Sequence, residues 1–460
     1  MTVFASTPFD ALEIGMEAEG RRLCVADDLY VFAHASGNLN PMHLPRENGD
    51  GDGKPEAVAP SMWLAALISS VLGNRLPGPG TLYESQSLRF LGRAHAGDEL
   101  VAGVRVKAKG ENRRVTFETW VARADGTRIA EGEAEVTAPA GEQSFDASDV
   151  PGLTVQRHMH FDRLLDLAEP LPAIPTVVVA PEDPSALGGA LLAAEHTLIT
   201  PILVGSAEKI HAAAAEIGAD LSGHEVIDLP DHAAAAARAV ALVHEGRARA
   251  IMKGHLHTDD LLHPVVRKEG GLRTGRRLSH VFVMDVPGLD HLLMVTDAAI
   301  NIAPDLKTKI DIVQNAIDLG HSVGLEEPKV GILSAVETVN PAIPSTLDAA
   351  ALSKMADRGQ ITGGLVDGPL AMDNAVDIHA AATKGLKGLV AGHAEILVAP
   401  NLEAGNMLAK ELTFIAHAEA AGVVLGAQVP IILTSRADDD KARLASCAVA
   451  ALHAEGARGA

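Results

Sequence analysis

Apolar and polar residues alternate through residues 83–137. The segments YESQSLRFLG, ELVAGVRVKAKG, RRVTFETWVARADG and RIAEGEAEVTA are separated by Gly-Asp, Gly-Glu-Asn and Asp-Gly-Thr turns. Period-two alternation broken by such turns predicts an antiparallel meander. Ahead of it, SMWLAALISSVLGNRL is apolar on every side and long enough for a buried helix, which PGPG then stops. The order predicts one helix wrapped by a curved sheet.

The pattern changes after residues 138–152, APAGEQSFDASDVPG, which have no periodicity and read as a linker. Beyond it, short apolar runs alternate with Ala-rich stretches. PTVVVA, ITPILVG, EVIDLP, ARAIMKG, LSHVFVMDV, HLLMVTDA, PKVGILSAVE, GLVDGPL, AEILVAP and VPIILTS read as buried strands. HAAAAARAVALVHEG and NMLAKELTFIAHAEAAG read as helices. Such alternation predicts a largely parallel sheet covered on both faces, with ligands at the carboxyl ends of its strands. Some 300 residues are generous for one such unit, so two α/β subdomains with a cleft are expected.

Composition narrows the function. Of 460 residues, 47% are hydrophobic and 21% charged, as in an ordinary soluble globular protein. The formal net charge of −22 repels phosphate backbones and anionic lipid, which argues against nucleic-acid and membrane partners. Positive charge is densest at Arg267, Lys268, Arg273, Arg276 and Arg277, a candidate anion contact or a solvated loop. Two distant cysteines, Cys24 and Cys447, make neither a disulfide framework nor a zinc set. The longest apolar stretch, Met62 to Leu72, is too short to span a bilayer, and a cytoplasmic location is expected. His255, His257, Asp259 and Asp260 lack zinc spacing and read as a solvated loop, so no metal is expected.

Seven motifs follow one another in the second half: MKGHLHTDDLL, GLRTGRRLSHVFVM, VTDAAINIAPDLKTK, LSAVETVNPAIPSTLDA, VDGPLAMDNAV, GHAEILVAPNLEAGN and ILTSRAD. Together they resemble the phosphate acetyl/butyryltransferase family, closer to its butyryl-type branch, across residues 155–460. The resemblance implies acyl-CoA + phosphate ⇌ acyl phosphate + CoA, with no cofactor beyond these substrates. It also implies two α/β lobes like those of isocitrate/isopropylmalate dehydrogenases, and a homodimer or higher homo-oligomer. Phosphorolysis of a thioester needs donors for an oxyanion, orientation of phosphate, and in reverse a base for the CoA thiol. By resemblance Ser435 is the oxyanion donor, Arg436 the CoA or phosphate contact and Asp438 the base, with Asp439 and Asp440 as neighbours that could take that place. Lys253, Arg273, Ser279, His280, Asp297, Asn301, Glu337, Asp373, Gly405 and Asn406 match family motifs as candidate CoA or phosphate contacts; Asp367 lies in the same motif as Asp373. His263 stands near a position where acetyl-type members carry Arg, which speaks against acetyl specificity.

FAHASGNLNPMHL, residues 32–44, resembles the active-site loop of MaoC-like, R-specific enoyl-CoA hydratases, which have the hot-dog fold; the resemblance covers residues 10–138. That loop holds a catalytic aspartate and histidine. Asn38 stands at the aspartate position and His43 is kept. A carboxamide cannot take a proton from water, so general-base work at residue 38 is lost.

The expected architecture is therefore an α+β hot-dog domain over residues 1–138, a linker over 139–154, and a phosphate acyltransferase of two α/β subdomains over 155–460. The first domain is expected to bind acyl-CoA or to dimerise without catalysis. A bifunctional hydratase/acyltransferase, a CoA-binding scaffold and a decarboxylating dehydrogenase on the same fold are the alternatives.

Overall fold

The computed structural model describes residues 3–45, 57–153, 155, 158, 160–433 and 440–459. The chain divides into two compact units, Met1–Val155 and Gln156–Ala460.

The first unit contains β1 (Val3–Ala5), β2 (Glu17–Leu23), α1 (Ala26–Ser36) and α2 (Ser61–Asn74). β3 (Leu82–Phe90), β4 (Glu99–Lys109), β5 (Arg114–Arg123), β6 (Arg128–Thr137) and β7 (Ser144–Asp146) follow. Five of these strands form an antiparallel sheet in the order β2-β4-β5-β6-β3. Trp63, Leu64, Ile68, Val71 and Leu72 of α2 are buried against Leu100, Val104, Phe117, Ile129 and Val136. This is the helix wrapped by a sheet that the sequence predicts. The apolar pattern does not reveal β2, because EAEGRRL has no apolar face. It joins the sheet through its ladder to β4, reinforced by the ion pair between Glu17 and Arg105. The stretch read as linker also has structure, since Ser144–Asp146 pairs antiparallel with Val3–Ala5.

The second unit opens with α3 (His160–Ala168), β8 (Ile174–Val179), α4 (Pro184–Glu195), β9 (Ile199–Gly205) and α5 (Ala207–Ile217). Next come β10 (Glu225–Asp228), α6 (His232–His244), β11 (Ala250–Lys253), α7 (Thr258–Val265), β12 (Ser279–Asp285) and β13 (Leu293–Thr296). α8 (Leu306–Ser322), β14 (Lys329–Leu333), α9 (Pro344–Asp357), β15 (Leu365–Leu370), α10 (Met372–Val376) and α11 (Ile378–Thr383) continue the alternation. The chain finishes with β16 (Ile396–Val398), α12 (Leu402–Phe414), β17 (Glu419–Leu425), β18 (Ile431–Ile432) and α13 (Asp440–Gly459). Helix starts are fixed by side-chain caps at Asp183, Ser206, Asp231, Asp305 and Asn401, each accepting backbone N–H groups.

One eleven-stranded sheet runs through this unit, ordered β10-β9-β8-β11-β18-β17-β12-β13-β16-β14-β15. β10, β9, β8, β11 and β18 are mutually parallel. β17 is antiparallel to both β18 and β12, and β12 is antiparallel to β13. β13, β16, β14 and β15 are again parallel to one another, pointing opposite to the first group. The two expected α/β parts are thus halves of one continuous sheet. Each half has its own packed face on either side: two clusters around Val178 and Val204, two around Val313 and Leu397. α13 packs against α3, α4, α8 and β17, so it buttresses both halves.

The helix expected over residues 406–422 is a correction. α12 stops at Phe414, His417 has φ of 57°, and Glu419–Leu425 is a central strand. The Ala-rich lead-in masks GVVL, whose β-branched residues fill the sheet between β12 and β18. Among the described residues no helix is long and apolar enough to cross a membrane.

Candidate active site

Three strands of the first half end side by side. β8 gives way to Ala180, which has φ of 52°, and then to Glu182 and Asp183. Gly254, directly after β11, donates its N–H to Val179 O at 2.8 Å, and His255 N donates to Ala180 O at 2.6 Å. A Cβ at position 254 would lie 2.4 Å from Ala180 O, so only glycine lets the two strand exits lie flush. Lys253, the last residue of β11, is only 9% exposed. Its side chain is therefore largely shielded from solvent at the end of the strand.

Beside it lies Glu182, whose side chain is 2% exposed. Its Oε1 accepts Ser206 N at 2.9 Å, and its Oε2 accepts Lys209 Nζ at 2.9 Å and His232 Nε2 at 3.2 Å. Burial opposes ionisation of this carboxyl, but the three donors outweigh it and hold the pKa below the ordinary value. Asp183 caps α4 through Oδ1 and meets His255 Nδ1 through Oδ2 at 3.0 Å. The sequence reading missed Glu182. The signal was present in PEDPS directly after an apolar strand, since Asp-Pro-Ser marks a helix start at a strand's carboxyl end.

β18 is parallel to β11 and points to the same end of the sheet. Leu433 is its last described neighbour; Ser435, Arg436, Asp438 and Asp439 lie outside the described residues. Asp440 opens α13 with its side chain 76% exposed and 3.7 Å from Arg443.

The opposite end collects most of the other candidates. β12 starts there and β13 ends there, which brings Ser279 and His280 next to Asp297. Asp297 is 2% exposed and fully engaged: Oδ1 accepts Ala299 N and Ile300 N, and Oδ2 accepts the backbone and side-chain amides of Asn301. Asn301 Nδ2 also donates to Leu278 O at 2.8 Å, and Ser279 Oγ accepts Asn315 Nδ2 at 2.9 Å. A Cβ on Gly405 would lie 2.5 Å from Asp297 O, and Asn406 Nδ2 donates to Ala298 O at 3.2 Å. Burial pushes His280 down to about 4, partly offset by the charge of Asp297. These six residues interlock β12, β13 and α12 with one another.

Glu337 and Asp373 follow β14 and β15. Glu337 Oε2 accepts Lys384 Nζ at 2.9 Å and Asn374 Nδ2 at 3.3 Å, and Lys384 holds its carboxyl below the ordinary range. Asp373 is exposed, and Asp367 accepts the N–H of Gly368. Arg273 is exposed in the loop between α7 and β12, its backbone bridged to Ala427. That loop enters β12 at the end opposite Lys253, so the basic cluster and the buried lysine are separated by the length of the strands.

In the first unit, His43 Nδ1 lies 2.6 Å from the carbonyl oxygen of Val58. A carbonyl only accepts, so Nδ1 carries the proton and Nε2 is left as the basic nitrogen. Asn38 is exposed, and its Oδ1 accepts Asn40 N at 3.4 Å. No group of three or more His, Cys, Asp or Glu able to hold a metal occurs among the described residues.

Comparison with known proteins decides the family. Residues 231–451 match the family described as phosphate acetyl/butaryl transferase, and residues 11–125 match the MaoC like domain. The phosphate acetyltransferase of Rhizobium meliloti is 62% identical over 300 residues, covering 65% of this chain and 95% of that protein. The chain belongs to the phosphate acetyl/butyryl transferase family. The phosphate butyryltransferase of Clostridium beijerinckii is 43% identical over 293 residues, 64% of this chain and 97% of that protein. Of these two relatives the acetyl-named one is the more similar. A branched-chain phosphotransacylase from Enterococcus faecalis V583 superposes with a TM-score of 0.54 at 32% identity, covering 61% of this chain and 99% of that one. The family is thus joined in one chain to a MaoC-like domain.

Proposed function

We propose that the second unit transfers a short acyl group between CoA and inorganic phosphate, with its centre at the strand ends that carry Lys253. The observation that carries this reading is the buried Lys253 beside the flush exit at Gly254, on the sheet end toward which β18 points. A desolvated cation there attracts an anionic oxygen far more strongly than an exposed one does. In the proposed reaction a phosphate oxygen attacks the thioester carbonyl. Arg436 orients that phosphate, Ser435 donates to the developing oxyanion, and collapse breaks the carbon–sulfur bond to release the thiolate of CoA. In reverse, Asp438 accepts the thiol proton before sulfur attacks the acyl phosphate. The caged carboxylate of Glu182 fixes the exits of β8 and β9 around Lys253, because it ties Ser206, Lys209 and His232 to one point. The reading includes a homo-oligomer, and substrates from acetyl- to butyryl-CoA.

For the first unit we infer acyl-CoA binding or dimerisation without hydration. His43 keeps a basic Nε2, but the amide of Asn38 has no carboxylate to share the water proton. The transferase reading is tested by CoA release from acetyl-, propionyl- and butyryl-CoA with and without phosphate, in the wild type and in Arg436→Ala. Release that needs phosphate and collapses in the variant supports it. Absence of release from all three thioesters refutes it.

A further inference from the structure

The basic cluster is not absorbed by the proposed centre, and it borders a cleft of its own. Two adjoining cavities of about 420 and 320 Å³ share the walls Leu425, Gly426, Ala427 and His453. Arg276 and Asp318 line the first, and Arg249 lines the second. Gly426 has φ of 87°, and a Cβ there would lie 2.3 Å from Arg277 O, so the β17–β18 turn presses directly on the arginine loop. Thr274 Oγ1 clamps the same turn by donating to Gly426 O at 2.7 Å.

Both cations are held in ion pairs that an incoming anion would have to displace. Arg276 pairs with Asp318, which also accepts Gln314 Nε2 at 3.0 Å. Arg249 donates to Ala454 O at 2.7 Å and lies 3.5 Å from Glu455. Arg273, whose backbone bridges to Ala427, and Arg277, whose N–H donates to Asp311 Oδ2, lie outside the two cavities, whose own walls carry Arg276, Arg249 and the carboxylate of Asp318. His453 completes it. Ser322 Oγ gives its proton to Asp318 O at 2.9 Å, so toward His453 Nδ1, 3.1 Å away, it can only accept. The imidazole therefore carries its proton on Nδ1 and has an acceptor at Nε2. Burial lowers its pKa, and the nearby Arg276 acts in the same direction while Asp318 opposes.

We propose that this cleft is a second anion site, distinct from the catalytic centre, that takes a small phosphate ester or diphosphate between Arg276 and Arg249 with His453 protonating as the anion binds. An anion there replaces the contact of Arg276 with Asp318 and turns His453 Nε2 from acceptor into donor. The groups that face the imidazole in this exchange are Asp318 from α8, Arg276 from the preceding loop, Arg249 from the start of β11, and Glu455 from α13 itself.

Titration calorimetry of the full-length protein with pyrophosphate near neutral pH tests this. Two buffers of different ionisation heat report proton uptake. The expected result is saturable binding with uptake of up to about one proton. Arg276→Gln should weaken it roughly tenfold or more, and His453→Gln should remove the proton uptake. Arg436→Ala should keep the saturable binding and proton uptake of this cleft and lose at most a separate component from the catalytic centre, which tells the two sites apart. Thermal melts of each variant establish that it is folded; should Arg276→Gln fail to fold, Arg249→Gln carries the same expectation. Binding lost in Arg436→Ala but kept in folded Arg276→Gln and Arg249→Gln overturns the proposal, as does no saturable binding at all.

Discussion

The two ends of the eleven-stranded sheet hold similar residue types in opposite ways. At one end Lys253 and Glu182 are buried beside strand exits that only glycine allows to close up. At the other end Asp297 is equally buried, but all four of its contacts are amides from its own loop. A buried carboxylate saturated by local amides is a strut, with no lone pair left for a ligand. Lys253, by contrast, brings a cationic side chain to a strand terminus, where the proposed centre lies. Motif membership does not reveal the strut; the hydrogen-bond inventory of Asp297 does.

The largest effect should come from the centre itself. Arg436→Ala should lower phosphate-dependent CoA release by roughly 10²–10³-fold without altering the melting temperature by more than a few degrees. A loss of less than about fivefold would remove Arg436 from the mechanism. Lys253→Met keeps the length of the side chain and removes its charge. It should raise the KM for phosphate roughly tenfold or more, measured by initial rates against phosphate concentration. An unchanged KM would place the phosphate elsewhere.

The strut should respond in the reverse sense. Asp297→Ala leaves several buried N–H groups unsatisfied and should cost about 3 kcal/mol in denaturant unfolding, while the folded variant stays active within a few fold. If Asp297→Ala is instead stable and inactive, the strut reading is wrong and the residue belongs to the chemistry. Gly405→Ala forces a methyl group against Asp297 O and should cost about 1–3 kcal/mol by the same assay.

A smaller effect follows from His280. Its pKa is depressed to about 4, so in the range from about 6.5 down to 4 the unfolded chain binds the proton that the folded chain refuses. Stability should therefore rise as pH increases from about 4 to 6.5, by at most about 3 kcal/mol from this group. His280→Gln should flatten that part of the melting profile. A wild-type profile that matches the variant's across this window would show that burial does not perturb the imidazole.

The smallest expected signal concerns the first unit. Crotonyl-CoA hydration should be undetectable in the wild type, and Asn38→Asp should raise it to a measurable rate that His43→Ala abolishes. Hydration by the wild type that disappears in His43→Ala would make the chain bifunctional.

Much of this architecture was legible from residues. Strict alternation at 83–137 exposed the meander, and apolar runs such as PTVVVA and AEILVAP marked strands that are covered on both faces. The misses have a common physical origin. β2 is held by its backbone ladder and cross-strand charges, which leave no apolar period to read. GVVL in β17 follows an Ala-rich run whose helical propensity hides the turn at His417. For the proposed site, motif order pointed to Lys253 and to the TSRAD segment, of which Ser435, Arg436 and Asp438 lie outside the described residues. It could not tell that Ser279, His280, Asp297 and Asn301 lie at the other end, because that depends on the reversal of strand direction at β17 and β13.

The central claim is that the strand end bearing Lys253 is where phosphate meets the thioester. Its most direct test is CoA release from acetyl-CoA as a function of phosphate, for the wild type, Lys253→Met and Asp297→Ala in parallel. The account predicts phosphate-dependent release by the wild type and by folded Asp297→Ala, with the response to phosphate weakened only in Lys253→Met. A normal phosphate response in Lys253→Met together with its loss in folded Asp297→Ala would put the centre at the opposite end of the sheet.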